Sequence, residues 1–169
     1  FVAEFVRATS RLKLGPALDW SCDVGCLVSA QQLATVTRHV DDAIAKGARV
    51  ETGGKARPDL GPLFFEPTIL SGVVPGMTLF LEETFGPVVA VYPFSTNQQA
   101  IELANATEYG LNSSIWSRDT ELALRMATRL QSGTVNINEA YAAAWGSVEG
   151  PIGGFKNSGL GRRHGAEGI

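Results

Sequence analysis

The stretch LEETFGPVVAVYPF, residues 81–94, joins two acids and an aromatic ring to an apolar run. Glu82 and Glu83 stand just before Phe85, and Gly86 and Pro87 then break the chain. The run from 88 to 94 is almost continuously apolar, which predicts a strand covered on both faces. The acids therefore lie at the mouth of a predicted buried strand, where they either cap a solvated turn or hold a ligand.

The residue types of this stretch are compatible with both interpretations. A carboxylate accepts hydrogen bonds from two adjacent sugar hydroxyls, as a ribose presents them. An aromatic ring such as Phe85 packs well against a flat ring beside that ribose. In the alternative interpretation, the acids belong to a solvated turn and Phe85 belongs to the core. The residues by themselves leave the choice between ligand site and turn open.

Helix and strand signals alternate along the rest of the chain. Ser29 and Gln32 have the spacing of a capping box, which predicts a helix beginning at Ser29. Further helices are predicted after Thr96 or Asn97 and after Asp119 or Thr120. Strands are predicted in ARVETGG, FFEPTILSGV, VVAVYPF, LNSSIWS and TVNIN. This alternation predicts an α/β fold with a mainly parallel sheet and flanking helices, in which ligands bind beyond the carboxyl ends of the strands.

Composition excludes several classes of function. The 169 residues are 44% hydrophobic and 18% charged, which argues against a disordered chain. The net charge of −3 and the lack of a basic run predict no nucleic-acid partner. No apolar stretch approaches the roughly 20 residues that cross a bilayer, and no leader is visible, so a cytoplasmic location without membrane contact is expected. The two cysteines and two histidines lack ligand spacing, so no metal site is predicted.

The C-terminal part of the sequence is unusually rich in glycine, with eight of the 19 glycines between residues 146 and 169. Tyr141 and Trp145 are suited to form the walls of an apolar pocket, with Ser147 as a polar group inside it. The alternative interpretation is a packed surface loop. No G-x-S-x-G motif is present, and Cys22 lacks a basic neighbour that would activate it. The residues therefore indicate parts of a pocket but no catalytic group.

Four motifs resemble, in the same order, those of the aldehyde dehydrogenase superfamily. They are LEETFGPVV, ANATEYGLNSSIWSRD, SGTVNIN and PIGGFKNSGLGR, between residues 81 and 162. Within the superfamily, NEAYAAAWGS and GRRHG are most similar to succinate-semialdehyde dehydrogenases of actinobacteria. The resemblance implies that Glu83 binds the nicotinamide ribose of NADP or NAD and that Phe85 packs beside the nicotinamide. It also implies that Tyr141, Trp145 and Ser147 form one wall of an aldehyde pocket.

The resemblance implies a homo-oligomeric parent enzyme that oxidises a small aldehyde, first of all succinate semialdehyde, to the carboxylic acid. In the family, the nucleophilic cysteine, the general-base glutamate and most of the nucleotide-binding domain lie upstream of the segment that matches Phe1. Residues 1–169 are therefore expected to be part of a catalytic domain, without a catalytic residue, the nucleotide-binding domain or the oligomerisation segment, and inactive alone. The alternative is a non-catalytic domain of the same fold, used for binding or assembly. One departure is Arg163, where family members often carry a glutamate.

Overall fold

The computed structural model describes residues 1–17, 19–142, 146–166 and 168, which form two compact units, Phe1–Pro93 and Phe94–Ile169. The first unit contains α1 (Val2–Thr9), α2 (Ala30–Ala45), β1 (Arg49–Thr52), β2 (Thr68–Ser71), α3 (Thr78–Leu81) and β3 (Val88–Val91). The second unit contains α4 (Asn97–Asn105), β4 (Tyr109–Gly110), β5 (Asn112–Ile115), α5 (Thr120–Ala127), β6 (Thr134–Ile137) and β7 (Phe155–Lys156).

Three helices begin at caps that the sequence predicts. The side chains of Ser29, Thr96 and Asp119 each accept a hydrogen bond from the backbone N–H three residues further on, at the starts of α2, α4 and α5. These bonds satisfy N–H groups that have no partner inside the helix. The helix starts are therefore fixed locally, by the residue types at their caps.

The core of the first unit lies between α2 and the sheet β1-β2-β3. Strand β1 pairs antiparallel with β2, and β2 pairs in parallel with β3, with Thr68 opposite Val88 and Ser71 opposite Val91. Three apolar residues of α2 are buried here, and Leu33 packs beside them. The buried cluster comprises Val36, Val40, Ala43, Ala48, Phe65, Leu70, Val73 and Met77. Because Met77 belongs to this cluster and Phe80 packs against it, α2 also lies against the segment that precedes β3.

Strand β3 forms where it was predicted, but the expectation that both of its faces are covered was wrong. Val89 is 46% exposed, and the other residues of the strand are half-buried. Within the described residues, β3 lies at the edge of its sheet with β2 as its one neighbour. A continuous apolar run reports hydrophobicity and does not reveal how many layers cover the strand.

In the second unit, β5 and β6 form a parallel pair, from Asn112 opposite Thr134 to Ile115 opposite Ile137. Strands β4 and β7 form a short antiparallel pair. The predicted α/β fold with parallel strands is confirmed, although the described strands form three small sheets. Across the described ranges, no helix has the length and apolar character needed to cross a membrane.

Candidate functional site

The loop of residues 82–86, called the 82–86 loop below, connects α3 to β3. Helix α3 ends at Leu81, and Glu82 already has extended backbone angles. On the far side of the loop, the carbonyl oxygen of Pro87 accepts a hydrogen bond of 2.8 Å from the N–H of Thr68, which begins the pairing of β3 with β2. The loop is therefore fixed at both ends by regular structure.

Glu83 and Phe85 are both exposed on this loop. The Glu83 carboxylate makes no hydrogen bond or ion pair with any described residue, and Phe85 is 74% exposed. Phe85 has a φ of +49°, a left-handed conformation that is unfavourable for a bulky side chain. Backbone strain of this kind is often found at functional sites, where the surrounding structure maintains it.

Helix α2 maintains the conformation of the loop through Gln32. The Gln32 side-chain amide donates hydrogen bonds to the carbonyl oxygens of Thr84, at 2.6 Å, and of Phe85, at 3.0 Å. In the predicted capping box this side chain would return to Ser29, but it is directed to the loop instead. The Ser29 side chain still accepts a hydrogen bond of 3.1 Å from the Gln32 N–H, so only this half of the capping box forms.

A second contact with α2 comes from His39, which is only 1% exposed. Its Nδ1 is hydrogen-bonded to the Thr84 Oγ1 at 3.1 Å. Its Nε2 lies 3.4 Å from a carboxylate oxygen of Glu82, within range of an ion pair, but the geometry does not make a hydrogen bond. The side chains of Glu82 and Thr84 thus meet the same imidazole ring from the loop.

Sequence reasoning predicted Glu83 and Phe85 for this candidate site and did not include Gln32, His39 or Thr84. Gln32 was assigned to a capping box, and His39 was considered only as a metal ligand. The position of Thr84 directly after Glu83 was the one available signal, since adjacent residues of an extended segment face opposite sides. The two contacts span 45 and 52 residues, which no local pattern reveals.

The geometry of the loop fits the nicotinamide riboside of a dinucleotide. A carboxylate without a protein partner is available to accept two hydroxyl hydrogen bonds, and an exposed ring two residues away is available to pack against a flat heteroaromatic ring. Both groups lie on a backbone that α2 fixes from behind. The assignment of Glu83 and Phe85 to a cofactor stays a prediction that this geometry favours.

The second unit contains a cavity of about 690 Å³ lined mainly by the glycine-rich segment. Tyr141 lines it together with Leu111 and residues of the glycine-rich segment, which are Ile152, Gly153, Gly154, Ser158, Gly159, Leu160, Gly161, Arg162 and Arg163. Backbone bonds of 2.7 Å in both directions between Ile152 and Arg163 close the segment into a loop. Arg162 donates to the Gly154 carbonyl oxygen at 3.2 Å and lies over the Phe155 ring at 5.2 Å. These contacts hold residues 152–163 around this cavity.

The remaining predicted pocket residues have different outcomes. Ser147 is not among the residues that line the cavity of Tyr141, and its Oγ accepts a hydrogen bond of 3.1 Å from the Gly150 N–H in an exposed turn. Trp145 lies outside the described residues. The assignment of Tyr141, Trp145 and Ser147 to an aldehyde pocket therefore stays a prediction.

No metal centre was expected from the sequence. In the parts of the chain that the structure describes, no three His, Cys, Asp or Glu side chains come together as a metal site. Cys22 and Cys26 are free thiols.

Curated relatives cover the whole of this chain. One, from Mycobacterium tuberculosis strain H37Rv, bears the provisional name succinate-semialdehyde dehydrogenase (NADP+) 2 and is 56% identical over 169 residues, which are all of this chain and 33% of that protein. The chain therefore spans about a third of the length of the curated relatives that it matches.

Solved structures agree with the curated relatives. A betaine aldehyde dehydrogenase from Staphylococcus aureus in complex with NAD+ superposes with a TM-score of 0.90 at 38% identity, over 98% of this chain and 33% of that one. A Mycobacterium tuberculosis aldehyde dehydrogenase complexed with NAD+ gives 0.90 at 36% identity, over 99% and 34%. The model of the aldehyde dehydrogenase family matches residues 1–169. The chain therefore belongs to the aldehyde dehydrogenase family.

Proposed function

We propose that this chain is part of an NAD(P)-dependent aldehyde dehydrogenase that oxidises a small aldehyde, with succinate semialdehyde as the first candidate, to the carboxylic acid. The observation that carries this proposal is the pairing of Glu83 and Phe85 on a loop that α2 fixes from behind. The names of the mycobacterial relatives support the substrate and NADP, and the NAD+ complexes of the structural neighbours support a nicotinamide dinucleotide.

In this proposal, the residues of the chain bind and orient the cofactor. The Glu83 carboxylate accepts hydrogen bonds from the two ribose hydroxyls. The Phe85 ring packs beside the nicotinamide and limits its rotation. When bound, the nicotinamide supplies the hydride acceptor for the oxidation. The nucleophile is proposed to lie outside residues 1–169, because neither Cys22 nor Cys26 matches the motif of the family's nucleophile.

The cavity of the glycine-rich end is the proposed contribution of the second unit to the aldehyde site. Tyr141 lines it, and Arg162 and Arg163 bring positive charge to its edge. An anionic aldehyde such as succinate semialdehyde needs cationic or hydroxyl partners for its carboxylate. The substrate proposal predicts a preference for succinate semialdehyde over an uncharged aldehyde of similar length.

The experiment that tests the cofactor assignment compares two Glu to Gln variants of the full-length protein. Glu83→Gln removes the charge from the proposed ribose ligand, whereas Glu121→Gln removes the same charge from a side chain that is 87% exposed on α5. Calorimetric titration with NADP+ and NAD+ should show binding about ten- to a hundredfold weaker for Glu83→Gln, because charge-assisted hydrogen bonds are lost. Glu121→Gln should bind like the unmodified protein.

Two outcomes would reject this proposal. If the unmodified protein binds neither dinucleotide and oxidises no short aldehyde, the activity is wrong. If it binds a dinucleotide and Glu83→Gln binds equally well, the role of Glu83 is wrong. The substrate preference is tested in the same preparation. The absorbance of the reduced nicotinamide is followed in parallel with succinate semialdehyde and with an uncharged aldehyde.

We also propose a homo-oligomeric enzyme that works in the cytoplasm. The free thiols of Cys22 and Cys26 support a reducing compartment, and the family relationship supports an oligomer. Sedimentation equilibrium of the full-length protein tests the first point, since a monomer at micromolar concentration would contradict it. Cell fractionation tests the second point, and recovery of the protein outside the cytosolic fraction would contradict it.

A further inference from the structure

The His39 ring is a buried polar group between two side chains of the 82–86 loop. It is 1% exposed, with Thr84 hydrogen-bonded to Nδ1 at 3.1 Å and Glu82 3.4 Å from Nε2. Thr84 is itself buried, at 9% exposure. A buried polar side chain that loses its hydrogen-bond partner destabilises its surroundings, so the bond between His39 and Thr84 strongly favours one position of the loop.

The contacts of Glu82 and Thr84 determine where the residue between them points. Glu82 has extended backbone angles, φ −90° and ψ 142°. Successive side chains of an extended segment point to opposite sides, so residues two apart point to the same side. Because Glu82 and Thr84 both face the imidazole of His39, Glu83 faces away from α2 and is exposed. The contacts of Glu82 and Thr84 with His39 therefore direct the Glu83 carboxylate towards solvent.

The two contacts of α2 with the loop act on different groups. Gln32 holds the carbonyl oxygens of Thr84 and Phe85, which fixes the path of the backbone. His39 is hydrogen-bonded to the Thr84 side chain, which keeps that side chain directed towards α2. Gln32 and His39 are seven residues apart, so they lie on the same face of α2 two turns from each other.

We propose that His39 is a positioning residue for cofactor binding, which it supports through the Thr84 hydroxyl without contact with the cofactor. This inference rests on the proposed function, in which Glu83 binds the ribose. When the bond between His39 and Thr84 is removed, the loop samples orientations in which Glu83 and Phe85 no longer face the dinucleotide together. Cofactor affinity falls, whereas the affinity for the aldehyde does not depend on this bond.

The decisive variants are Thr84→Val and Thr84→Ser in the full-length protein. Valine has nearly the shape of threonine but lacks the hydroxyl, and serine keeps the hydroxyl. We expect Thr84→Val to raise the Kd and KM for NADP+ or NAD+ about five- to tenfold, which is the effect of one lost hydrogen bond, with the KM for the aldehyde unchanged. Thr84→Ser should restore the cofactor Kd to within about twofold of the unmodified protein.

The matched control is Thr37→Val, on α2, the helix that carries His39. The Thr37 hydroxyl donates to the Leu33 carbonyl oxygen at 2.8 Å, inside α2, and makes no hydrogen bond with the 82–86 loop. This variant makes the same chemical change in a half-buried residue. A merely structural effect of losing a hydroxyl on this part of the unit would lower Tm in both variants, but only Thr84→Val should change the cofactor Kd.

A double-mutant cycle with His39→Phe tests the partner. If His39 acts through the Thr84 hydroxyl, the double variant of His39→Phe and Thr84→Val should have a cofactor Kd no higher than that of the single variant with the higher Kd. Losses that multiply would mean two independent effects and would overturn the proposed route through Thr84.

The failure of this inference differs from the failure of the proposed function. If Glu83→Gln weakens cofactor binding and Thr84→Val does not, the positioning role of His39 is overturned and the function stands. If the unmodified protein binds no dinucleotide, both are overturned. Circular dichroism checks folding, and if Thr84→Val does not fold, Thr84→Ala removes the same hydroxyl and is judged by the same two results.

Discussion

Gly86 lies directly against Val36 at the end of the 82–86 loop. A Cβ atom added to Gly86 would overlap the Cγ2 methyl group of Val36. Val36 is completely buried in the core cluster of the first unit, so a shift of its side chain would disturb the core residues around it. The missing side chain of Gly86 thus allows the loop to approach α2 closely.

Gly86→Ala should therefore displace the loop or destabilise the first unit. Overpacking of a well-packed core typically costs about 1–3 kcal/mol, and we expect a lower Tm together with weaker cofactor binding. Thermal unfolding and calorimetric titration of the full-length protein measure the two effects. Gly25→Ala is the control, because no atom lies within 4 Å of the added Cβ at that position. Equal behaviour of the two variants would contradict the proposed overlap.

The acid stability of the protein should depend on Asp42. The hydrogen bond from the Lys46 ammonium group, followed by that from the Thr78 N–H, lowers the pKa of the Asp42 carboxyl from its ordinary 3.8 to about 2. A carboxyl whose pKa is lowered by folding stabilises the folded state above its unfolded pKa. This contribution is lost as the pH falls from about 4 towards about 2.

Asp42→Asn should flatten the dependence of Tm on pH in this acid range, because asparagine does not titrate. It keeps a side-chain oxygen as acceptor for the Thr78 N–H, which begins α3. Asp41→Asn, an exposed neighbour on the same helix, serves as control and should keep the pH dependence of the unmodified protein. A curve for Asp42→Asn that is parallel to the unmodified curve below pH 4 would contradict this assignment.

Asn138, which follows β6, should stabilise the second unit through its side chain. It has a φ of +57°, accepts a hydrogen bond of 2.8 Å from the Ser117 N–H and donates one of 2.9 Å to the Ser117 carbonyl oxygen. Asn138→Ala loses both bonds and leaves a β-carbon in the left-handed region, so the free energy of unfolding should fall by about 2–3 kcal/mol.

Asn138→Gly separates the two effects of the alanine variant. Glycine tolerates the positive φ but also lacks both side-chain hydrogen bonds, so it should be about 1 kcal/mol more stable than Asn138→Ala. Urea unfolding followed by circular dichroism measures the difference. If the alanine and glycine variants unfold at the same urea concentration, the backbone conformation contributes nothing.

Lys156 should stabilise the end of α4. Its ammonium group donates hydrogen bonds of 2.8 Å to the carbonyl oxygens of both Asn105 and Thr107. A cation at the C-terminal end of a helix also interacts favourably with the helix dipole. Lys156→Met keeps most of the side-chain length but loses these bonds, and we expect a loss of about 1–2 kcal/mol in urea unfolding. Lys55→Met, at an exposed position, should have little effect.

The features that the sequence predicted correctly are local ones. Ser29, Thr96 and Asp119 cap helices because each side chain bonds an N–H only three residues away. The neighbouring positions of Glu83 and Phe85 on one loop are likewise a direct consequence of their spacing. In each case the interacting groups are close in the chain, so residue type and spacing contain the information.

The features that the sequence did not predict depend on contacts between distant residues. A lone histidine such as His39 has the same local signature whether it is buried or solvated, and its partner Thr84 is 45 residues away. Gln32 was assigned to the capping box because the loop that it contacts is 52 residues away. The apolar run of β3 gave the strand correctly but not the exposure of Val89, which depends on the layers around the sheet.

The anchoring of the 82–86 loop on α2 links ligand occupancy to the local opening of a helix. A dinucleotide that binds only the folded loop stabilises the anchored state by mass action, by about 2.7 kcal/mol at a hundredfold excess over Kd. Fully buried α2 residues such as Val40 should then exchange their amide hydrogens more slowly when the cofactor is present. The rate of amide hydrogen exchange in α2 would thus report the binding of a cofactor on the opposite side of the loop.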